Sequence, residues 1–173
     1  MSDYPKHYRE EEAYFSYVDE VDQSTYDELL NAARSAISVF HIPQTDDGKE
    51  IASAINKIVD DILATGEFPR EYYDNDINNV AVELGALYGF ALNMGYGWRW
   101  KKVGKSADEL TFSWGVGPED DNWFTPCGVY LAKILTGKNI NRDGENDNTV
   151  LLNYNMIPGT LKTTPARKLT ILW

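Results

Sequence analysis

Cysteine and histidine are nearly absent from this chain. One cysteine, Cys127, and two histidines, His7 and His41, occur among 173 residues. A lone cysteine excludes an intramolecular disulfide, and so few thiol and imidazole ligands work against a zinc centre. Long apolar runs are missing as well. The most apolar stretch, Leu84 to Leu92, is far shorter than the roughly 20 residues that span a bilayer. The opening residues MSDYPKHYREEEAYF hold no apolar core of the signal-peptide kind,. A cytoplasmic protein in a reducing compartment is the expectation, with export by a leaderless route as the alternative. Dinucleotide-binding, P-loop, zinc-protease and paired-cysteine motifs are all missing, so no cofactor is implied.

Basic residues are also scarce, 16 against 27 acidic ones, for a net charge of −11. That balance opposes a nucleic-acid backbone and an anionic membrane surface, and favours basic partners. The excess is one-sided. Residues 1–94 hold 19 acidic and 6 basic side chains, whereas residues 95–173 hold 8 and 10. Either acidic residues solvate exposed helix faces or they form one acidic docking surface. With 43% hydrophobic and 25% charged residues the chain is globular rather than disordered. Its length suffices for a core without disulfides or metals.

The pattern predicts an acidic, tyrosine-rich lead over residues 1–23 and one α+β domain over 24–173. Tyr14, Tyr17, Val18 and Val21 fall at helical spacing, which predicts a short helix from about Glu10 to Glu20,. Ser24 reads as the N-cap of a helix over about 25–40, and Asp46 or Asp47 as that of one over about 49–65 with Ile51, Ile55, Ile58 and Ile62 inward,. The helix expected over about 76–94 is apolar nearly all round, the signature of an element buried on several sides. Ala81, Gly85 and Gly89 give it a shallow groove. After Gly95 the period changes to two. Trp98 and Trp100 alternate with Arg99 and Lys101, and Leu110, Phe112, Trp114 and Val116 with small or polar residues, predicting two antiparallel strands,. Trp123-Phe124 reads as a third, Thr125-Pro126 opens a helix, Val150 to Met156 reads as a strand, and Leu169 to Trp173 as a last strand or docked terminus. Helices first, then a small antiparallel sheet interrupted by one helix, is α+β order.

Few residues carry chemistry. Cys127 would sit in the first turn of a helix, where backbone amides favour a thiolate, with His41 or His7 as its base. The plainer reading is a buried structural thiol. Glu83, alone in the apolar helix, would need Arg99 or a lysine, or a raised pKa, if buried, or else it lies on a narrow exposed strip. Adjacent acids such as Asp46-Asp47, Asp60-Asp61 and Glu119-Asp120-Asp121 do not by themselves make the spaced pair a glycosidase needs. Asn139, Asn141, Asp143 and Asp147 loosely follow a calcium loop, but Val150 stands where the bidentate Glu belongs,. A solvated turn-rich loop explains them as well. Trp98, Trp100 and Trp114 read as core, and Trp123 as the most exposed tryptophan.

The run ELGALYGFALNMGYGWRW from Glu83 to Trp100, Trp123-Phe124-Thr125-Pro126 before a helix, and Asn148-Thr149-Val150-Leu151-Leu152 resemble small uncharacterised bacterial α+β domains, some of the immunity-protein class of polymorphic toxin systems. The resemblance spans about 76–156 and implies a non-enzymatic, cytoplasmic, partner-binding role. The leading expectation is an acidic binding protein that docks a basic protein partner through Glu11, Glu12, Asp60 and Asp61 with Tyr14 and Tyr17 as anchors. The alternatives are a small hydrolase or transferase centred on Cys127 or Glu83, and an assembly protein that oligomerises through a sheet edge.

Overall fold

The protein is described by a computed structural model over residues 17–72, 76–137, 147–164 and 170–172. In chain order it runs β1 (Tyr17–Glu20), α1 (Gln23–Val39), α2 (Gly48–Thr65), α3 (Ile77–Tyr96), β2 (Arg99–Ser106), β3 (Glu109–Gly117), β4 (Trp123–Phe124), α4 (Cys127–Leu135), α5 (Val150–Thr163) and β5 (Thr170–Ile171). This is the mixed α+β class that the element order predicts.

Three aspartates start the first three helices. Asp22 accepts from the Thr25 backbone N–H at 2.7 Å, Asp47 from Lys49 at 2.8 Å and Asp76 from Asn78 at 3.0 Å. Each such cap contributes about 1 kcal/mol. Part of the acidic excess of the first half is therefore local helix chemistry. Asp22 takes the role expected of Ser24, which lies inside α1. Gly66 and Gly97 end α2 and α3 at φ 67° and 68°, a conformation that costs glycine little.

α3 is the centre. Val80, Leu84, Leu87, Tyr88, Ala91 and Leu92 are all buried. α1 packs on the face carrying Glu83, Leu87 and Phe90, where Tyr26 meets Phe90 edge-on at 5.7 Å. α4 packs on the opposite face, carrying Ala81, Gly85 and Tyr88. There the small-residue groove does what its spacing promises. A Cβ on Gly85 would stand 2.7 Å from the Gly128 Cα, so the two backbones touch. One turn on, Gly89 makes room for the Trp100 ring, which also meets Phe90 at 5.2 Å and Trp114 at 5.8 Å. The first residue of α2, Gly48, abuts Ala91 and Gly95 near the end of α3. In α2 the inward positions are Ile51, Ile55, Val59 and Ile62, Val59 replacing the expected Ile58.

The antiparallel sheet has the order β1-β2-β3, and β4 and β5 form a separate parallel pair, joined to β3 by a bridge between Val116 and Thr125. Residues 17–20 are therefore a strand and not the end of a helix. Val18 packs with Val103, Phe124 and Ile171, a period-two demand that overrides the helical spacing. Tyr14, on which that spacing leans, lies outside the described residues. β1 lies before the boundary expected at residue 23 and pairs with β2 beyond it. Trp123 is buried, against expectation, because β4 is flanked by β3 and β5.

The second correction is α5, expected as a strand over 150–156. Val150, Tyr154 and Ile157 are its buried residues, a helical spacing that the Pro158-Gly159 pair disguises. Pro158 sits inside the helix and cannot donate to the Tyr154 carbonyl four residues back,. The Tyr96 hydroxyl donates to that carbonyl instead, at 2.5 Å. The Tyr88 hydroxyl donates to Asn153 at 2.5 Å, so α3 holds α5 at two points.

Leu84 is fully buried in α3. Leu84→Ala should cost about 2–5 kcal/mol through lost burial and a residual cavity, measured as the shift in denaturant midpoint at unchanged slope. A loss typical of an exposed site would contradict the central placement of α3.

Candidate functional site

The nucleophile candidate is enclosed. Cys127 opens α4, is 0% exposed, and its Sγ donates to the Thr125 carbonyl at 3.4 Å. Burial pushes its thiol pKa well up, outweighing the local hydrogen bonds that lower it,. His41 follows α1 on the opposite flank of α3, with left-handed φ 54°. No cysteine–histidine pair forms with it, and His7 lies outside the described residues.

Glu83 is half-buried on the α1 side of α3. Among the described residues neither Arg99 nor a lysine pairs with it. Its carboxylate accepts from the Ser35 hydroxyl at 2.9 Å and from the Tyr72 hydroxyl, whose ring stacks on Phe40 at 5.7 Å. Two hydroxyl donors satisfy the charge and tie α1 and the 66–72 segment to α3. Because Glu83 and Cys127 occupy opposite faces of α3, they do not share a site.

Of the expected docking residues only Tyr17, Asp60 and Asp61 are described, and Tyr17 does not gather with the other two. Glu11, Glu12 and Tyr14 lie outside the described residues, as do Asn139, Asn141 and Asp143 of the calcium-like loop; Asp147 is exposed. Asp60 accepts from the Asn148 side chain at 2.9 Å and Asp61 is exposed. Both stand on the far half of α2. Gly48 abuts Gly95, and Asp60 is twelve residues further along, about 18 Å at helical rise. Tyr17, Asp19 and Glu20 lie on β1, at the other end of α2, where Arg99 follows Gly97. Exposed charges are screened over about 8 Å at physiological salt, so Asp60 and Asp61 do not add to the field of β1.

A different set of charges does converge. Asp19 and Glu20 of β1, Arg99 and Lys101 of β2, and Glu119 and Asp121 of the turn after β3 line one notch of about 170 Å³ at the sheet edge. Arg99 pairs with Glu20 at 3.1 Å and reaches Glu119 at 3.9 Å. Strand alternation places Lys101 toward solvent, yet it is 3% exposed, because the 118–121 turn covers its side of β2. Its ammonium donates to the Asp121 carboxylate and the Pro118 carbonyl. Asp121 has φ 57°, a region non-glycine residues seldom adopt and Asp tolerates better than most. Asp19 accepts from Tyr17 at 3.2 Å and from the Glu20 backbone at 2.8 Å. The notch thus holds four carboxylates against two cations. The sequence singles out the turn acids and Tyr17 separately. Only the β1–β2 pairing, which the helical reading of 10–20 hides, brings them together.

Among the described residues no group of histidine, cysteine or carboxylate side chains is arranged to hold a metal ion, and no helix is long and apolar enough to cross a membrane. No protein family, characterised protein or solved structure matches the chain.

The buried hydroxyls set a pH dependence. Desolvation raises the pKa of Tyr72, Tyr88 and Tyr130, with the Glu83 carboxylate adding to the shift at Tyr72. Cys127 moves the same way. A group with a raised folded pKa keeps its proton where the unfolded chain has lost it, so stability is full below the unfolded value and falls above it. Unfolding free energy should decline from about pH 9, where unfolded thiols titrate, and more steeply above about pH 10, where tyrosines do. Denaturant melts across that range test this. A flat profile through about pH 11 would contradict the burial of these groups.

Proposed function

We propose that the protein is a non-enzymatic binding module that docks a basic segment of a protein partner at the notch between β1 and the 118–121 turn. The observation that carries this reading is the convergence of Asp19, Glu20, Glu119 and Asp121 on one concave site. Their two cations are already engaged, so the site has negative charge to spare. Glu119 and Glu20 are exposed and available to a lysine or arginine. The net charge of −11 would steer such a partner from a distance. Asp19 and Glu20 on an edge strand also oppose pairing of the sheet with a second copy, which disfavours assembly through that edge. The enclosure of Cys127 and the separation of Glu83 from it weigh against the hydrolase alternative. The resemblance of residues 76–156 to immunity-type bacterial domains supports a partner-binding role in a cytoplasmic setting.

Charge reversal tests the site. Glu20→Lys with Glu119→Lys should weaken binding of an Arg/Lys-rich peptide about tenfold at low salt, and the wild-type affinity should fall as salt rises. Asp60→Lys with Asp61→Lys should leave affinity nearly unchanged while altering net charge equally. All four side chains are exposed, so folding should survive. Equal losses in the two pairs would show a diffuse charge effect and overturn the notch.

A further inference from the structure

The α1 flank of α3 carries a second concavity of another character. Leu30 and Ile37 of α1, Leu87, Phe90 and Met94 of α3, and Ile42 of the connecting segment line an open groove of about 550 Å³. It arises from the topology. α1 and α2 both run antiparallel to α3, so the segment 41–47 must travel back along α3, and Ile42, which is buried, wedges beside α1. The volume falls within the roughly 300–1,000 Å³ of small-molecule sites, which are mostly apolar with a few placed polar groups. At the mouth Met94 is 49% exposed, an adaptable apolar side chain left in water. Arg34 stands on the rim, four residues from Leu30 and three from Ile37, exposed, with no ion pair or hydrogen bond among the described residues. Asp46 occupies the same rim.

We infer that this groove binds a small amphiphile with an apolar tail and a single anionic head, of the fatty-carboxylate class. The tail lies over Leu87, Phe90 and Met94, and the carboxylate accepts from the Arg34 guanidinium, whose planar fork matches it. Asp46 repels a second negative charge, so a monoanion is favoured over a dianion. This site is independent of the notch. Titration with dodecanoate, dodecanol and dodecyltrimethylammonium, followed by calorimetry below their micellar ranges, tests it. Dodecanoate should bind saturably at one site. Arg34→Gln should weaken it about tenfold, and Met94→Glu should abolish it. Dodecanol should bind more weakly and ignore Arg34→Gln, and the cationic amphiphile should bind least. Both altered residues are exposed, and unchanged thermal melts would confirm folding. The assignment is overturned if dodecanoate shows no saturable binding, if neither variant weakens it, or if the three head groups bind alike.

Discussion

The cover that α3 requires shapes everything else. A helix with apolar residues on every side is stable in water only when neighbours surround it, and α1, α2, α4 and Trp100 of β2 do so. Size matching makes the cover close. Glycine at 85 and 128 lets two helices meet at backbone distance, and glycine at 89 accepts an indole. Such packing tolerates little change of volume, which fixes where the remaining elements begin and end.

Both concave sites follow from that arrangement. Because α3 ends at Tyr96 and the chain turns at Gly97 straight into β2, Arg99 and Lys101 are placed beside β1 and the 118–121 turn. Burying Lys101 demands a carboxylate, since an uncompensated buried charge is costly, and Asp121 supplies it in a backbone conformation that costs something itself. The residual negative charge of the notch stands on this rigid frame. On the opposite flank, two helices antiparallel to α3 and a short return segment leave a groove that is apolar for the same reason its floor is apolar.

The helical core is legible in the sequence because its signals are local. The cap at Asp47 and the continuous apolar run from Val80 to Leu92 each act within a turn or two. The strand Tyr17–Glu20 is not, because its conformation is dictated by β2, about eighty residues away, and four residues satisfy either period. α5 reads as a strand because Pro158 and Gly159 ordinarily end elements. The compensation, a tyrosine hydroxyl from α3, is a tertiary contact. The notch is hidden for the same reason. Its acids are visible singly, but Lys101 looks like an outward strand residue, and only the turn folded over it reveals the site.

Native-state amide hydrogen exchange tests the central role of α3 most directly, because it ranks segments by the free energy needed to open them. The amides of Leu84 to Leu92 should be the slowest in the protein and should exchange only through global unfolding, with α1 and α5 opening earlier. If the α3 amides exchange faster than those of α1 or α2, the helix is a peripheral element and does not organise the fold.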